Sequence, residues 1–354
     1  MRILQLHSAD ARGIVPAGGD MICPLQDADQ AVVRRVINGE YSMTVNMPRG
    51  ARNAEKVQIG TAIKGTVNEM GDQEYFIVKS RTRSISGGIS IYAEHQSYLL
   101  NGVILASGPA YTNGHVNVVF QNMHDWAYPS IASFSTWTYS RASSLRANFP
   151  ARQTPTSMMA ALKNHLIGSA GGELIFRGFD VEYVDQMGAD RGAWYRYGVN
   201  LTALEVEDIL DGYASGIFPF WGREGDANRP MTILNQPVLP YVGTFPLQVV
   251  IPVDLTEQIP TQPSQAELLA AAEEYAAQNT PSGIPLSIKA ERVNIGGNGA
   301  VDLGDTVTVT CTPWGIDTKT RISALTMDAL RGRVISAEFG TINPGFAGAV
   351  KNIK

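Results

Sequence analysis

Apolar and polar residues alternate along most of this 354-residue chain. Tyr41, Met43, Val45 and Met47 are apolar and Ser42, Thr44 and Asn46 between them are polar, the period of a strand with one buried face. An Asn38-Gly39 turn launches this strand and Pro48 stops it, and Gly39 is expected at positive φ in that tight reversal. The alternation continues in VQIGTAIKG, in EYFIVKSRTRS and, after Gly87-Gly88, in ISIYAEHQSYLL. There Ile89, Ile91 and Ala93 share one face, and Ser90, Tyr92 and Glu94 the other. QAVVRRVI reads two ways: Val32 and Val36 fit a short helix ending at Asn38-Gly39, and the β-branched run fits a strand. Residues 1–107 therefore predict a small β barrel or sandwich.

The period changes beyond that point. HVNVVFQNMHDWA places Val116, Val119, Phe120 and Met123 at helical spacing, and Phe134–Ser140 alternates as a strand. TPTSMMAALKNHLIGSAGG reads as a helix with a Ser/Thr cap before Met158 and Gly168 as its stop. Residues 108–171 thus predict an α+β insert. Strands return in ELIFRGFDVEYVDQ, a charged hairpin tip MGADRGA and WYRYGVNL, the start of a second β unit over 172–217. LEVEDILDGYA predicts a helix, its acidic residues suiting the positive N-terminal end. A Pro-rich connection from Phe218 to Pro263 leads to a helix over 264–279, where Ser264 and Glu267 form a capping box. Residues 218–283 are therefore a connecting or inserted unit. LSIKAERVNI, VDLGDTVTVT, TRISALTM and RVISAEFG complete the second β unit over 284–354, with Val307 and Val309 opposing Thr306, Thr308 and Thr310. The expected class is mainly β with α+β inserts: two small β-barrel-like domains, each with an inserted or appended mixed domain.

Composition narrows the function. Hydrophobic residues make up 44%, enough for several cores, while charged residues make up 17%, below the roughly 25% usual for soluble chains. That balance predicts large protein contacts. A net charge of −5 gives no electrostatic footprint for gripping nucleic acid. Cys23 and Cys311 define neither a disulfide framework nor a zinc site and read as small buried hydrophobes. The opening MRILQLHSADARGIVPAGG has no continuous apolar core, so no signal peptide is expected. Without any apolar run of about eighteen residues, no membrane span is expected either. Cytosolic synthesis follows, leaving the Asn200-Leu201-Thr202 sequon silent.

Candidate chemistry is sparse. His7, His95, His115, His124 and His165 form no HExxH motif and pair with no cysteine at metal-ligand spacing. There is no GxSxG elbow and no Walker loop. The Gly296–Gly299 cluster precedes a strand rather than a helix, so a hairpin loop explains it better than a phosphate cradle. Glu205 with Glu207 and Asp208, and Glu273 with Glu274, read as solvated faces rather than glycosidase pairs. Trp194, Tyr195 and Tyr197 beside Arg191 and Arg196 could stack on a base or sugar; on an alternating strand they read as one packed and one interfacial face. No catalytic, cofactor-binding or metal-binding residue is assigned.

The motifs themselves point further. INGEYSMTVNMP resembles the N-terminal motif of phage tail hub proteins, the tail-associated lysin N-terminal module or prophage endopeptidase tail family. IGTAIKG matches that family's G-x-x-I element, and AEHQSYLL its A-x-H-x-x-Y-x-L segment through Ala93, His95, Tyr98 and Leu100. GGELIFRGFDVEYVDQMGADRGAWYRYGVNLTAL is similar to its GGE–strand–Y-G-x-N-L block at Gly172, Glu173, Gly198, Asn200 and Leu201. LGDTVTVTCTPWGIDTKTRISALTMDALRGRVISAEFG resembles the closing G-D-x-V element, here Gly304 and Asp305, and the final strands. These residues, with Asn38, Gly39, Glu40 and Tyr41, are expected to be structural.

The resemblance implies a phage tail hub architecture and a non-enzymatic, cofactor-free role in the virion, at the tail tip or baseplate, after synthesis in the host bacterial cytoplasm. Such hubs are homotrimers whose two barrel-like domains extend the six-fold symmetry of the tube. They join a distal tail or tube protein to a central spike, fibre or lysin, and open for the tape measure protein and for DNA in transit during ejection and host cell entry. Many relatives continue into a peptidase, lysozyme or receptor-binding region. This sequence stops at NPGFAGAVKNIK, so those activities are expected on another polypeptide. The alternatives are a tail-associated peptidoglycan endopeptidase and a carbohydrate-binding adhesin using the Trp194–Tyr197 face.

Overall fold

The structure is a computed structural model and describes residues 2–10, 15, 20–85, 87–105, 111–125, 127–128, 137–139, 145–149, 155–178, 180–208, 214–222, 230–240, 247–256, 259, 261–279, 286–293 and 300–340. The alternating segments of the first third form β1 (Leu4–His7), β2 (Met21–Leu25), β3 (Gln30–Val36), β4 (Tyr41–Met47), β5 (Ala62–Thr66), β6 (Gln73–Arg83) and β7 (Ile89–His95). They lie antiparallel in the order β3-β4-β7-β6-β5-β1-β2. QAVVRRVI is a strand. Its register pairs Ala31 with Val45 and Val33 with Met43, so cross-strand apolar partners decide what local pattern left open. Leu4, Leu6, Val33, Met43, Val45, Phe76 and Ile91 form the buried centre of this unit.

The mixed insert contains β8 (Ile104–Leu105), β9 (Tyr111–His115), α1 (Val116–Asp125), β10 (Ala127–Tyr128), β11 (Trp137–Tyr139), β12 (Arg146–Phe149) and β13 (Thr156–Ser157). Helix α2 follows, running through Met158–Ala160, a π-helical stretch Ala161–Ile167 and Gly168–Ala170, and then β14 (Glu173–Arg177) and β15 (Asp180–Val184), which share the core of α1 and α2 although the sequence pattern grouped residues from 172 onwards with the second β unit. Val116, Val119, Phe120 and Met123 of α1 are all buried, as their spacing predicts, and pack in one core with Leu162, Leu174 and Tyr183. Ser157 caps α2, its Oγ accepting from Ala160 N at 3.2 Å. Gly168 does not stop this helix: its φ of −62° is helical. The stop is Gly171, whose φ of +75° suits glycine.

Next come β16 (Asp190–Arg196) and β17 (Leu201–Asp208). β17 overturns the helix expected from LEVEDILDGYA. It pairs with β21 (Leu286–Val293) from Leu201↔Val293 to Asp208↔Leu286, and Leu204 and Val206 pack on one core. Their two-residue spacing outweighed the acidic helix-start signal, and the rest of that segment, 209–213, lies outside the described residues. Strands β18 (Gly216–Trp221), β19 (Thr232–Ile233) and β20 (Val250–Asp254) form a separate sheet under α3 (Gln265–Asn279). Leu268, Ala272 and Ala276 of α3 pack with Ile217, Trp221, Ile251 and Val253. The capping box is complete: Ser264 N donates to Glu267 Oε2 at 2.8 Å and Glu267 N to Ser264 Oγ at 3.3 Å.

The closing strands are β22 (Thr306–Cys311), β23 (Ile316–Asp328) and β24 (Arg333–Phe339). β23 joins the two β units. Its first half pairs with β22, from Ile316↔Cys311 to Arg321↔Thr306, and its second half lies between β24 and β3, with Ala324 opposite Val36 and Asp328 opposite Val32. One sheet therefore runs β17-β21-β24-β23-β3-β4-β7-β6-β5-β1-β2, with β22 and β16 branching from β23. Met327, Ala329 and Leu330 at the far end of β23 are buried in the first core. The fold is mainly β with mixed inserts. Among the described residues no helix is long and apolar enough to cross a membrane. The Gly296–Gly299 loop, part of the Phe134–Ser140 segment and the closing NPGFAGAVKNIK lie outside the described residues.

Candidate functional site

Most of the motif residues converge on a polar seam where the β3–β4 hairpin, the insert and the second β unit meet. The hairpin tip is Ile37-Asn38-Gly39, closed by Val36 N donating to Glu40 O at 2.8 Å. Its left-handed residue is Asn38, with φ of +53°, and not Gly39 as the turn signal suggested. Gly39 is needed for space instead: a Cβ there would sit 2.8 Å from Val36 Cγ1. Asn38 uses its whole side-chain amide to hold β14, donating from Nδ2 to Gly172 O at 2.9 Å and accepting at Oδ1 from Leu174 N at 2.9 Å. The Gly39 carbonyl accepts from Tyr98 Oη at 3.1 Å and from Lys163 Nζ, on α2, at 3.2 Å. Partial burial lowers the Lys163 pKa.

A second joint lies beside the tip. The Tyr41 ring stacks on His95 with centroids 4.0 Å apart, and Phe76 meets both edge-on. Ser97 N donates to His95 Nδ1 at 3.2 Å, which leaves the neutral ring's proton on Nε2, facing Glu74 Oε2 at 3.5 Å. The same Glu74 oxygen accepts from Gly178 N, in the β14–β15 turn, at 2.8 Å. Burial lowers the His95 pKa against the opposing pull of Glu74, and burial raises that of the Tyr41 phenol. His95 is thus a neutral link holding a carboxylate that reaches into the insert.

The third joint is ionic. Glu173 accepts from Arg321 Nη1 at 2.8 Å, from Arg321 Nη2 at 2.9 Å and from Met187 N at 2.7 Å. Arg321 also donates to Met187 O at 2.9 Å and to Gly304 O at 3.1 Å, so one guanidinium ties β14, the β15–β16 loop and the loop before β22. Gly188 and Gly304 cross in contact: a Cβ on Gly188 would stand 2.2 Å from Gly304 C. Asp305 accepts from Ala189 N at 2.8 Å, Arg191 Nε at 3.1 Å and Asp302 N at 2.9 Å. Arg35 reaches from β3 to Asp302 Oδ1 at 2.5 Å. At Gly172 a Cβ would lie 2.3 Å from Tyr183 Oη. A cleft of about 420 Å³ opens among these joints, lined by Arg35, Tyr41, Glu74, Arg191, Asp302 and Asp305 among others.

Four motif residues stand apart from the joints. Glu40 accepts from Arg34 Nε at 3.1 Å and Ser42 Oγ at 2.6 Å. Gly198, Asn200 and Leu201 build the β16–β17 turn: Gly198 has φ of +80°, Asn200 accepts from Arg196 N at 2.6 Å and donates to Trp194 O at 2.9 Å, and Leu201 enters the second core. On β16, Ala193 and Tyr195 are buried and Trp194 is 37% exposed, and Tyr197 just beyond the strand is 46% exposed. The Arg196 guanidinium lies over the Trp194 ring, 5.3 Å from its centroid. Among the described residues no group of three or more His, Cys, Asp or Glu is arranged to hold a metal. Sequence reasoning missed Arg35, Glu74, Lys163, Asp302 and Arg321. No local signal marks them, since Arg321 finds Glu173 at a separation of 148 residues.

No protein-family model matches the chain, and no curated protein matches it in sequence. Solved structures match it from end to end. The prophage tail protein gp18 from Listeria monocytogenes EGD-e superposes with a TM-score of 0.65 at 12% identity, over 99% of this chain and 98% of that one. The 43 kDa tail protein of prophage MuSo2 from Shewanella oneidensis gives 0.62 at 12% identity, covering 98% and 99%. A tail protein from Neisseria meningitidis MC58 gives 0.60 at 12%, covering 98% of each chain. The chain has the fold of these prophage tail proteins.

Proposed function

We propose that this chain is a structural hub of a phage tail or tail-like particle. Three copies form a ring at the tail tip or baseplate, joining the tube or a distal tail ring to a central spike, fibre or lysin. The ring opens for the tape measure protein and for DNA. The observation that carries this reading is the fold shared with prophage tail proteins over essentially all of both chains. The seam supports it: its conspicuous polar groups join one part of the chain to another, as a load-transmitting subunit requires. The low charged fraction of 17% also favours extensive subunit contacts.

Native mass spectrometry of the full chain, alone and with its tube or distal tail partner, tests the assembly. A trimer is expected; a monomer that persists with the partner at high concentration refutes it. A non-enzymatic role predicts that the protein leaves purified peptidoglycan intact on a zymogram. Clearing that is lost on a single acidic or histidine substitution would replace the hub reading with the endopeptidase one. The exposed Trp194 and Tyr197, with Arg196 over Trp194, favour a second reading as a carbohydrate-binding adhesin. Glycan-array binding abolished by Trp194→Ala would support that reading.

A further inference from the structure

Asn-Gly pairs occur at 38–39, 101–102, 113–114 and 298–299. In such a pair the glycine backbone nitrogen can attack the preceding side-chain amide, because no Cβ obstructs its approach. Asn38-Gly39 sits at a hairpin tip, yet the seam and the hairpin's own turn each block this attack. The Asn38 side chain is turned onto β14, with Nδ2 bonded to Gly172 O and Oδ1 to Leu174 N, each at 2.9 Å. The would-be nucleophile, Gly39 N, donates to Val36 O at 3.0 Å, and the Gly39 carbonyl is gripped by Tyr98 and Lys163. Ring closure needs Gly39 N released and the Asn38 Cγ rotated off β14. The first breaks a bond within the hairpin; the second requires the tip to leave the seam. Asn101 and Gly102, by contrast, are exposed at the end of a short 3₁₀ turn, and a Cβ on Gly102 would meet nothing within 4 Å.

We propose that Asn38 is a latent deamidation site, protected by the seam, whose modification makes seam opening irreversible. Gly39 N loses its proton to water or hydroxide and bonds to Asn38 Cγ. The Cγ–Nδ2 bond breaks, and the nitrogen leaves as ammonia after taking a proton from water. Water then hydrolyses either carbonyl of the cyclic imide, giving aspartate or isoaspartate. Aspartate keeps the acceptor for Leu174 N but replaces the donor to Gly172 O with a carboxylate oxygen that repels that carbonyl. Isoaspartate reroutes the main chain through the side chain and lengthens a loop whose ends are joined at 2.8 Å by Val36 N and Glu40 O. Either product loosens the first β unit from the insert. The inference rests on the seam geometry alone and is independent of the assembly reading.

Peptide mass spectrometry of the full-length protein, aged in warm, mildly alkaline buffer, tests it. In the folded protein Asn38 should convert at least about tenfold more slowly than Asn101, in proportion to how rarely the seam opens. Lys163→Met and Glu173→Gln, each removing one seam contact, should accelerate Asn38 and leave Asn101 unchanged, and denaturant should bring the two sites together. Conversion of Asn38 as fast as Asn101 in the native protein overturns the proposal. An unchanged Asn38 rate in both variants, with circular dichroism confirming that they fold, does so too. Asn38→Asp supplies one product directly and should speed hydrogen exchange at the Leu174 amide; unchanged exchange there overturns the proposed consequence.

Discussion

Replacing Arg321 by methionine should destabilise the protein by about 4 kcal/mol. Glu173 is 7% exposed and Arg321 20%, so this pair is largely desolvated. Breaking a buried pair by removing one partner costs about 3–5 kcal/mol, because a charge is left buried. Glu173 would keep only Met187 N, and the carbonyls of Met187 and Gly304 would lose a donor, a loss of about 1 kcal/mol each where water does not replace it. The methionine stem retains part of the packing, which holds the total near the middle of that range. Arg52→Met is the control: Arg52 is 77% exposed against Asp27 and should change stability by less than about 1 kcal/mol. Urea unfolding followed by far- and near-ultraviolet circular dichroism measures both. Hydrogen exchange should localise the damage, with faster exchange in β14 and around Met187–Asp305 and little change in α3, which packs in a separate core. A loss for Arg321→Met within about 1 kcal/mol of the control would refute the view that this pair secures the seam.

Gly188→Ala should cost more than about 2 kcal/mol, since a positive φ of +81° is joined by a backbone clash at 2.2 Å, whereas Gly192→Ala, at +69° with open space, should cost about 1 kcal/mol by denaturant titration. Gly39→Ala should lower stability by about 1–3 kcal/mol through crowding on Val36 rather than through its dihedrals, and pairing it with Val36→Ala should recover only part of that loss in thermal melts, because the Val36 Cβ, 2.9 Å from the added carbon, remains. Burial holds the folded His95 pKa below its ordinary 6.5, so below that pH the unfolded chain takes up a proton that the native ring refuses. The His95 contribution should therefore be complete above about pH 6.5 and fall with pH beneath it, and His95→Gln should flatten that part of the stability–pH curve.

The sequence by itself determined the elements whose information is local. Alternation placed β4 and β7, helical spacing placed the buried face of α1, and Ser264 with Glu267 started α3, because side-chain period and cap chemistry act within one strand or one turn. Of the residues expected to be structural, Asn38, His95, Tyr98, Glu173 and Asp305 lie at the seam. What the motifs left open was what these residues touch. Only the tertiary structure decided that QAVVRRVI and LEVED are strands, because their partners, β4 and β21, supply the apolar cross-strand neighbours. It alone decided that β23 joins two β units into one sheet by pairing with β3. Arg321, Arg35, Glu74 and Lys163 carry no local mark, since each acts on a group brought near by folding and a charge pattern read along the chain has no term for such distances. Even at Asn38-Gly39 the turn was legible, but the left-handed residue was not. The bonds from Asn38 to Gly172 and Leu174 hold it in the left-handed region, and they exist only once β14 has docked.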